Sequence, residues 1–190
     1  MAEQSFLKQL DYVKPYRASR LNVANWVMDH PEYMEHLVSI AFDPAHEKRM
    51  QALWGLEFVC RFKLEMLYPY LPEFFHHLPH AKEDNVLRAI SFICELISIA
   101  CFKMKDPILG DAFTRAQKEL MTEYCFDWLI TEQKVACKVR AMTALYHLGT
   151  EFTWIHPELL QILQRDMHDG SAGYKARGRH TMALIEKLRA

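Results

Sequence analysis

The sequence predicts an all-α protein, an α–α superhelix of about four to five stacked helix pairs. Three observations predict it: few breakers inside apolar runs, a recurring proline-marked helix start, and a register of small and large residues that repeats. Gly is scarce, with six residues in 190, and the eight prolines lie mostly at element boundaries. That pattern favours helices over a turn-rich β fold.

The recurring start reads His30-Pro31-Glu32, Leu71-Pro72-Glu73 and His156-Pro157-Glu158. Pro suits the first turn of a helix because its missing N–H would be unpaired there in any case. Glu at the next position favours the positive end of the helix dipole. Pro31 and Pro72 stand 41 residues apart, and Pro72 and Pro157 stand 85 apart, close to twice that. The missing member falls near Lys118, where KELMTEYCFDWL is a helical run without the proline.

The third observation comes from the helices between these starts. Runs beginning at Gln51, Arg88, Arg140 and Arg177 align so that Ala52, Ala89, Ala141 and Gly178 share one column. Leu56, Ile93, Leu145 and Met182 share another. A small residue with a large aliphatic four positions on lets two helices approach and interlock. The steps of 37, 52 and 37 residues place an insertion, FKMKDPILGDAF, between Phe102 and Phe113. A two-helix unit recurring about every 40 residues is the signature of HEAT and armadillo repeats. Such a unit cannot bury its apolar face alone and must stack.

This register predicts a short helix over 3–12 and pairs at 16–29 with 31–42, 45–62 with 66–78, 83–103 with 113–131, and 133–148 with 154–168. A last helix over 171–188 caps the stack. Asp43-Pro44 and Ser171 read as helix N-caps. No long linker divides the chain, so residues 1–190 are expected to form one HEAT-like repeat domain.

The run Val86 to Phe102 is apolar nearly all round, which predicts a helix sandwiched on several sides. It contains Arg88 and Glu95, so a core helix fits it better than a membrane span. No basic start followed by an apolar stretch opens the sequence, so no signal peptide is read. The five cysteines form no CxxC pair and sit in apolar runs, as free thiols do in a reducing cytoplasm. A formal charge of −1 gives no global basic excess for nucleic acid.

Four segments carry a resemblance: ALWGLEFVC (52–60), YCFDWLI (124–130), EQKVACKVRAMTALYHLG (132–149) and SAGYKARGRH (171–180). With them the chain resembles HEAT-like α-solenoids over nearly its whole length. More narrowly, it resembles a group of small bacterial proteins often labelled adenylosuccinate lyase. The Ser-Ser-x-Met-Pro-x-Lys-x-Asn loop of true adenylosuccinate lyases is matched here only by Ser171 and Lys175, without the Met-Pro and the Asn. The resemblance therefore implies a fold rather than an activity.

Candidate site residues follow from charge and spacing. Glu57 and Glu95 fall on helices expected to be buried, where a carboxylate must be paired or shift its pKa upward. In the repeat register Glu95 matches His147, so stacking is expected to bring Glu95 near His147 or Arg140 as a structural ion pair between repeats. Lys175, Arg177 and Arg179 lie in a locally basic C-terminal stretch, with Lys175 and Arg179 on one face at i, i+4. Trp54, Trp128, Trp154, Tyr124 and Phe126 are read mainly as core, and Trp128 beside Asp127 is the pair expected to show partial exposure. His76, His77 and His80 are dense, but Pro79 interrupts their helix and no acidic ligand accompanies them. No metal, cofactor or catalytic residue is assigned.

The expected function is a non-catalytic, protein-binding scaffold with its patch on the second-helix face and no deep pocket. Two alternatives carry other requirements. A nucleic-acid enzyme like the HEAT-like DNA glycosylases needs a basic groove with aromatics and a carboxylate. A lyase needs an acid, a base and an anion clamp in one cleft.

Overall fold

A computed structural model describes the backbone of residues 2–189 and the side chains of residues 4–188. Among the described residues there are eleven α-helices and no strand. The contacts divide the chain into two compact units, Met1–Lys82 and Glu83–Ala190.

The first unit holds α1 (Ala2–Asp11), α2 (Arg17–Asp29), α3 (Met34–Phe42), α4 (Arg49–Phe62) and α5 (Leu71–His77). Pro31 opens a single 3₁₀ turn, Pro31–Tyr33, that leads into α3. The helix expected over 66–78 divides in two. Leu64–Tyr70 is 3₁₀, with Pro69 inside it, and α5 follows with Pro72 in its first turn. Each proline removes an N–H donor, so one continuous α-ladder cannot run through this segment. Asp43 accepts from the Ala45 N–H at 2.8 Å, but α4 begins only at Arg49. Asp43-Pro44 therefore closes a turn and does not cap the helix.

Helix α4 packs against α2 and α3. Gly55 is what allows the approach to α2, because a Cβ there would lie 3.0 Å from the Val23 side chain. Glu57, only 2% exposed, is paired as its burial requires. Its oxygens lie 3.4 Å from Arg61 and 4.0 Å from Arg20, and the Arg20 guanidinium also covers the Trp54 ring at 4.6 Å.

The second unit holds α6 (Asp84–Ser98), which continues as a π turn over Ile99–Lys103, then α7 (Pro107–Ala112), α8 (Arg115–Ile130), α9 (Val135–Leu148), α10 (Ile155–Asp166) and α11 (Ala172–Arg189). The missing proline-marked start is supplied by a capping box. Thr114 and Gln117 satisfy each other's backbone N–H at the head of α8. Ser171 caps α11, its Oγ accepting from the Tyr174 N–H at 3.3 Å.

Helix α9 is the centre of this unit and packs against α6, α8, α10 and α11. Of the small-residue column, Ala89 and Ala141 are 1% exposed, and the buried Gly178 faces α10, where an added Cβ would fall 2.8 Å from the Met167 side chain. Ile93 and Leu145 of the next column are fully buried, while Met182 is half-buried. The turn after α9 is fixed by close approach. His156 Nε2 lies 2.8 Å from the Tyr146 carbonyl, and a Cβ on Gly149 would fall 2.2 Å from the His156 ring. The insertion folds as α7, capped by Asp106, with Leu109 and Phe113 buried.

The segment Asp84–Lys103 is long and apolar enough to cross a membrane by length and composition, yet over half of its apolar window is buried inside the unit. It is not sandwiched all round. Ile90, Ile93, Cys94 and Ile97 are buried, while Phe92, Glu95, Leu96 and Ile99 are only half-buried. At about 100° per residue, Ile93 and Glu95 point to nearly opposite sides of the helix. The half-buried stripe is the floor of the site described next.

Candidate binding groove

Helices α6, α9 and α11 line a groove of about 700 Å³ in the second unit. Counted from the aligned Arg88, Arg140 and Arg177, the position seven residues on reaches the groove from all three helices, as Glu95, His147 and Leu184. The neighbouring positions on each stripe add Phe92, Leu96 and Ile99 from α6, Thr143 and Tyr146 from α9, and His180 and Thr181 from α11.

The π turn extends the stripe on α6. It is closed by the Met104 N–H donating to the Ile99 carbonyl at 2.9 Å. One extra residue in the turn leaves Lys103 about seven α-helical positions beyond Glu95, close to two full turns along the same face. Phe102 and Lys103 accordingly line the groove. The chain leaves the π turn through Lys105, the one non-glycine residue with positive φ (55°) among the described residues.

The charges in the groove are ordered. Arg177 donates to Thr143 Oγ1 at 2.8 Å and lies 3.8 Å from Glu95. Glu95 on α6 is thus held by a cation on α11. Thr143 in turn donates to the Val139 carbonyl, and Thr150 donates to the His147 carbonyl. His147 is buried, and its pKa falls to about 4, first through burial and then through the charge of Lys103. It is a neutral imidazole at pH 7. Lys103 is exposed and pairs with no carboxylate among the described residues.

The residues expected from sequence divide between this groove and elsewhere. Glu95, His147 and Arg177 come together in it. Lys175 and Arg179 do not line it, because each is two residues from Arg177 and so points about 200° away around α11. Trp128 is 4% exposed, packed beside Tyr124, and lines no groove, while Asp127 is exposed beside it. The partial exposure expected of Trp128 belongs instead to Trp154, which is 54% exposed and stacked on Phe126.

Compared with family models, curated proteins and solved structures, the chain matches none. The groove's chemistry therefore rests on its own residues. No group of three His, Cys, Asp or Glu among the described residues can hold a metal ion. His76, His77 and His80 sit ring against ring, and His77 also stacks on Phe42 at 5.2 Å, with its pKa lowered chiefly by burial. All five cysteines are free thiols. Cys60, Cys94, Cys125 and Cys137 are buried, and burial pushes their pKa values up.

Sequence reasoning missed Lys103, Leu96, Ile99 and Tyr146. Extending the register beyond its small and large columns to the seventh position would have found their neighbourhood. The π turn left no such signal.

Proposed function

We propose that this chain is a non-catalytic, HEAT-like helical-repeat module that binds a segment of a partner protein in the α6–α9–α11 groove. The observation that carries the reading is an open groove with an apolar floor whose one carboxylate and buried imidazole are already committed. Glu95 is tied to Arg177, and His147 is kept neutral. A general acid or base needs a pKa near the working pH and a free path to the reacting atom. A binding surface needs apolar area and a few fixed polar groups, which is what the groove offers. The in-order packing of α6, α9 and α11 supports the repeat reading. The five free thiols are compatible with a reducing compartment.

Magnitudes argue against the two enzymatic alternatives. Lys103 and Arg177 against Glu95 leave the groove a net charge of about +1. A protein that holds nucleic acid neutralises several phosphates, with affinity set by that number. A lyase for a polyanionic metabolite needs an anion clamp, and here the arginine suited to that role is engaged by Glu95.

The test is site-specific photo-cross-linking with the full chain. Benzoylphenylalanine replaces Tyr146 in the groove or Tyr12, which is 78% exposed in the first unit. Irradiation in lysate from the source cells is expected to give a discrete protein adduct from position 146 that Leu96→Asp abolishes, and none from position 12. No adduct at position 146, release of fumarate from adenylosuccinate, or a gel shift on DNA below tens of micromolar would overturn the reading.

A further inference from the structure

Resting on that reading, the charges of the groove narrow the chemistry of what it binds. Three residues with full charges line it, and two of them are spent on each other: Arg177 holds Glu95 at 3.8 Å and is anchored to Thr143 at 2.8 Å. Thr143 and Thr150 donate their hydroxyl protons to backbone carbonyls, so neither is a free donor toward an incoming group. His147 carries no proton to offer a second charge at neutral pH. The full charge left over is Lys103, exposed and without a carboxylate partner among the described residues, at the end of a stripe made by Leu96 and Ile99, while Tyr146, His180 and Thr181 line the groove from α9 and α11.

A lone ammonium beside an apolar floor selects a single negative charge attached to an apolar group. Ile99 and Lys103 are four residues apart with one extra residue taken up by the π turn, which sets their separation along the groove at roughly 5 Å. Two side chains of an incoming peptide meet that spacing when they are one helical turn apart, at i and i+4, or two residues apart on a strand. A helix is about 10–12 Å across, so about 700 Å³ takes roughly one to two turns of it. Laying an amphipathic helix into an apolar groove is a recurring mode of peptide recognition.

We infer that the groove takes a short amphipathic segment of a partner protein that presents one acidic side chain a helical turn from an aliphatic one. The carboxylate pairs with Lys103, and the aliphatic side chain seats over Leu96 and Ile99.

The experiment uses the full chain and a fluorescein-labelled, amidated 12-residue alanine-based peptide with Leu and Glu at i and i+4. Its partners are the same peptide with Lys in place of Glu and one with Ser in place of Leu. Fluorescence anisotropy at low salt is expected to give at least tenfold tighter binding for the Leu/Glu peptide than for either control. Lys103→Glu is expected to invert the preference between the Glu and Lys peptides, with Lys103→Gln abolishing it. Circular dichroism melts of both variants should match the wild type, because the side chain is exposed. Equal binding of the Glu and Lys peptides, or a preference that survives Lys103→Glu, overturns the inference. Tighter binding of the free small acid 4-phenylbutyrate than of the peptide overturns the commitment to a protein segment. If these results accompany an intact cross-link at position 146, the ligand chemistry fails and the binding module stands. If the cross-link is also lost, both fail.

Discussion

Helix α6 carries two apolar stripes that look alike in sequence and end differently. Ile90, Ile93 and Ile97 on one side are at most 2% exposed, packed in the interior of the second unit. Phe92, Leu96 and Ile99 on the other side are half-buried and floor the groove. Hydrophobicity alone does not separate them. The difference lies in what each side meets: the first lies in the unit's interior, while the second faces the groove. Glu95 in the middle of the open stripe marks the boundary. Its side chain is 14% exposed and survives there because Arg177 reaches across from α11.

The largest effect should come from the packed stripe. Ile93→Ala removes a fully buried side chain and leaves a cavity, at a cost of about 2–5 kcal/mol in urea unfolding. A loss below about 1 kcal/mol would mean that the stripe is not packed as described.

The pH dependence of stability probes the wall between the stripes. His147 has a pKa of about 4 in the fold against 6.5 when unfolded. Between those values the unfolded chain binds more protons, so this group's contribution is full above pH 6.5 and falls as the pH drops toward 4. His147→Gln is expected to flatten that part of the profile, as read by urea midpoints from pH 4.5 to 7.5. An unchanged slope would place His147 in solvent.

A smaller effect sharpens the open side. Arg177 is 38% exposed, so its pair with Glu95 is screened. A double-mutant cycle with Glu95→Gln and Arg177→Met should give a coupling of about 0.5–1 kcal/mol, falling in 0.5 M salt. No coupling would separate the two side chains. The smallest effect concerns the π turn. Lys105 holds φ at 55°, a region costly for any residue with a Cβ. Lys105→Gly should raise stability by about 0.5 kcal/mol, measured as a small increase in melting temperature. A decrease would mean that the turn does not require left-handed backbone.

Much of the fold was legible because it is written in local terms. The bounds expected for α2, α9 and α11 fall within two residues of those observed, since Pro, Ser and the apolar period act within a turn or two. Glu95 was expected to pair with His147 or Arg140; it lines one groove with His147, but its ion pair is with Arg177, and Arg140 reaches the Arg88 carbonyl instead. What the sequence hid is what depends on tertiary closure. Nothing at Leu96 says that it faces the groove. Nothing at Ile99 to Lys103 announces a π turn, whose closing bond is one residue longer than its neighbours'. The basic run at Lys175, Arg177 and Arg179 was seen as one feature because it is contiguous, although the helix sends its middle member to the opposite side.

The claim that joins fold to function is that Leu96 belongs to a cleft wall and not to the core. The urea-unfolding free energy of Leu96→Asp tests it most directly. A carboxylate on an open wall should change that free energy by less than about 1 kcal/mol. A loss of several kcal/mol, as an unpaired charge forced into packed interior would give, contradicts the account.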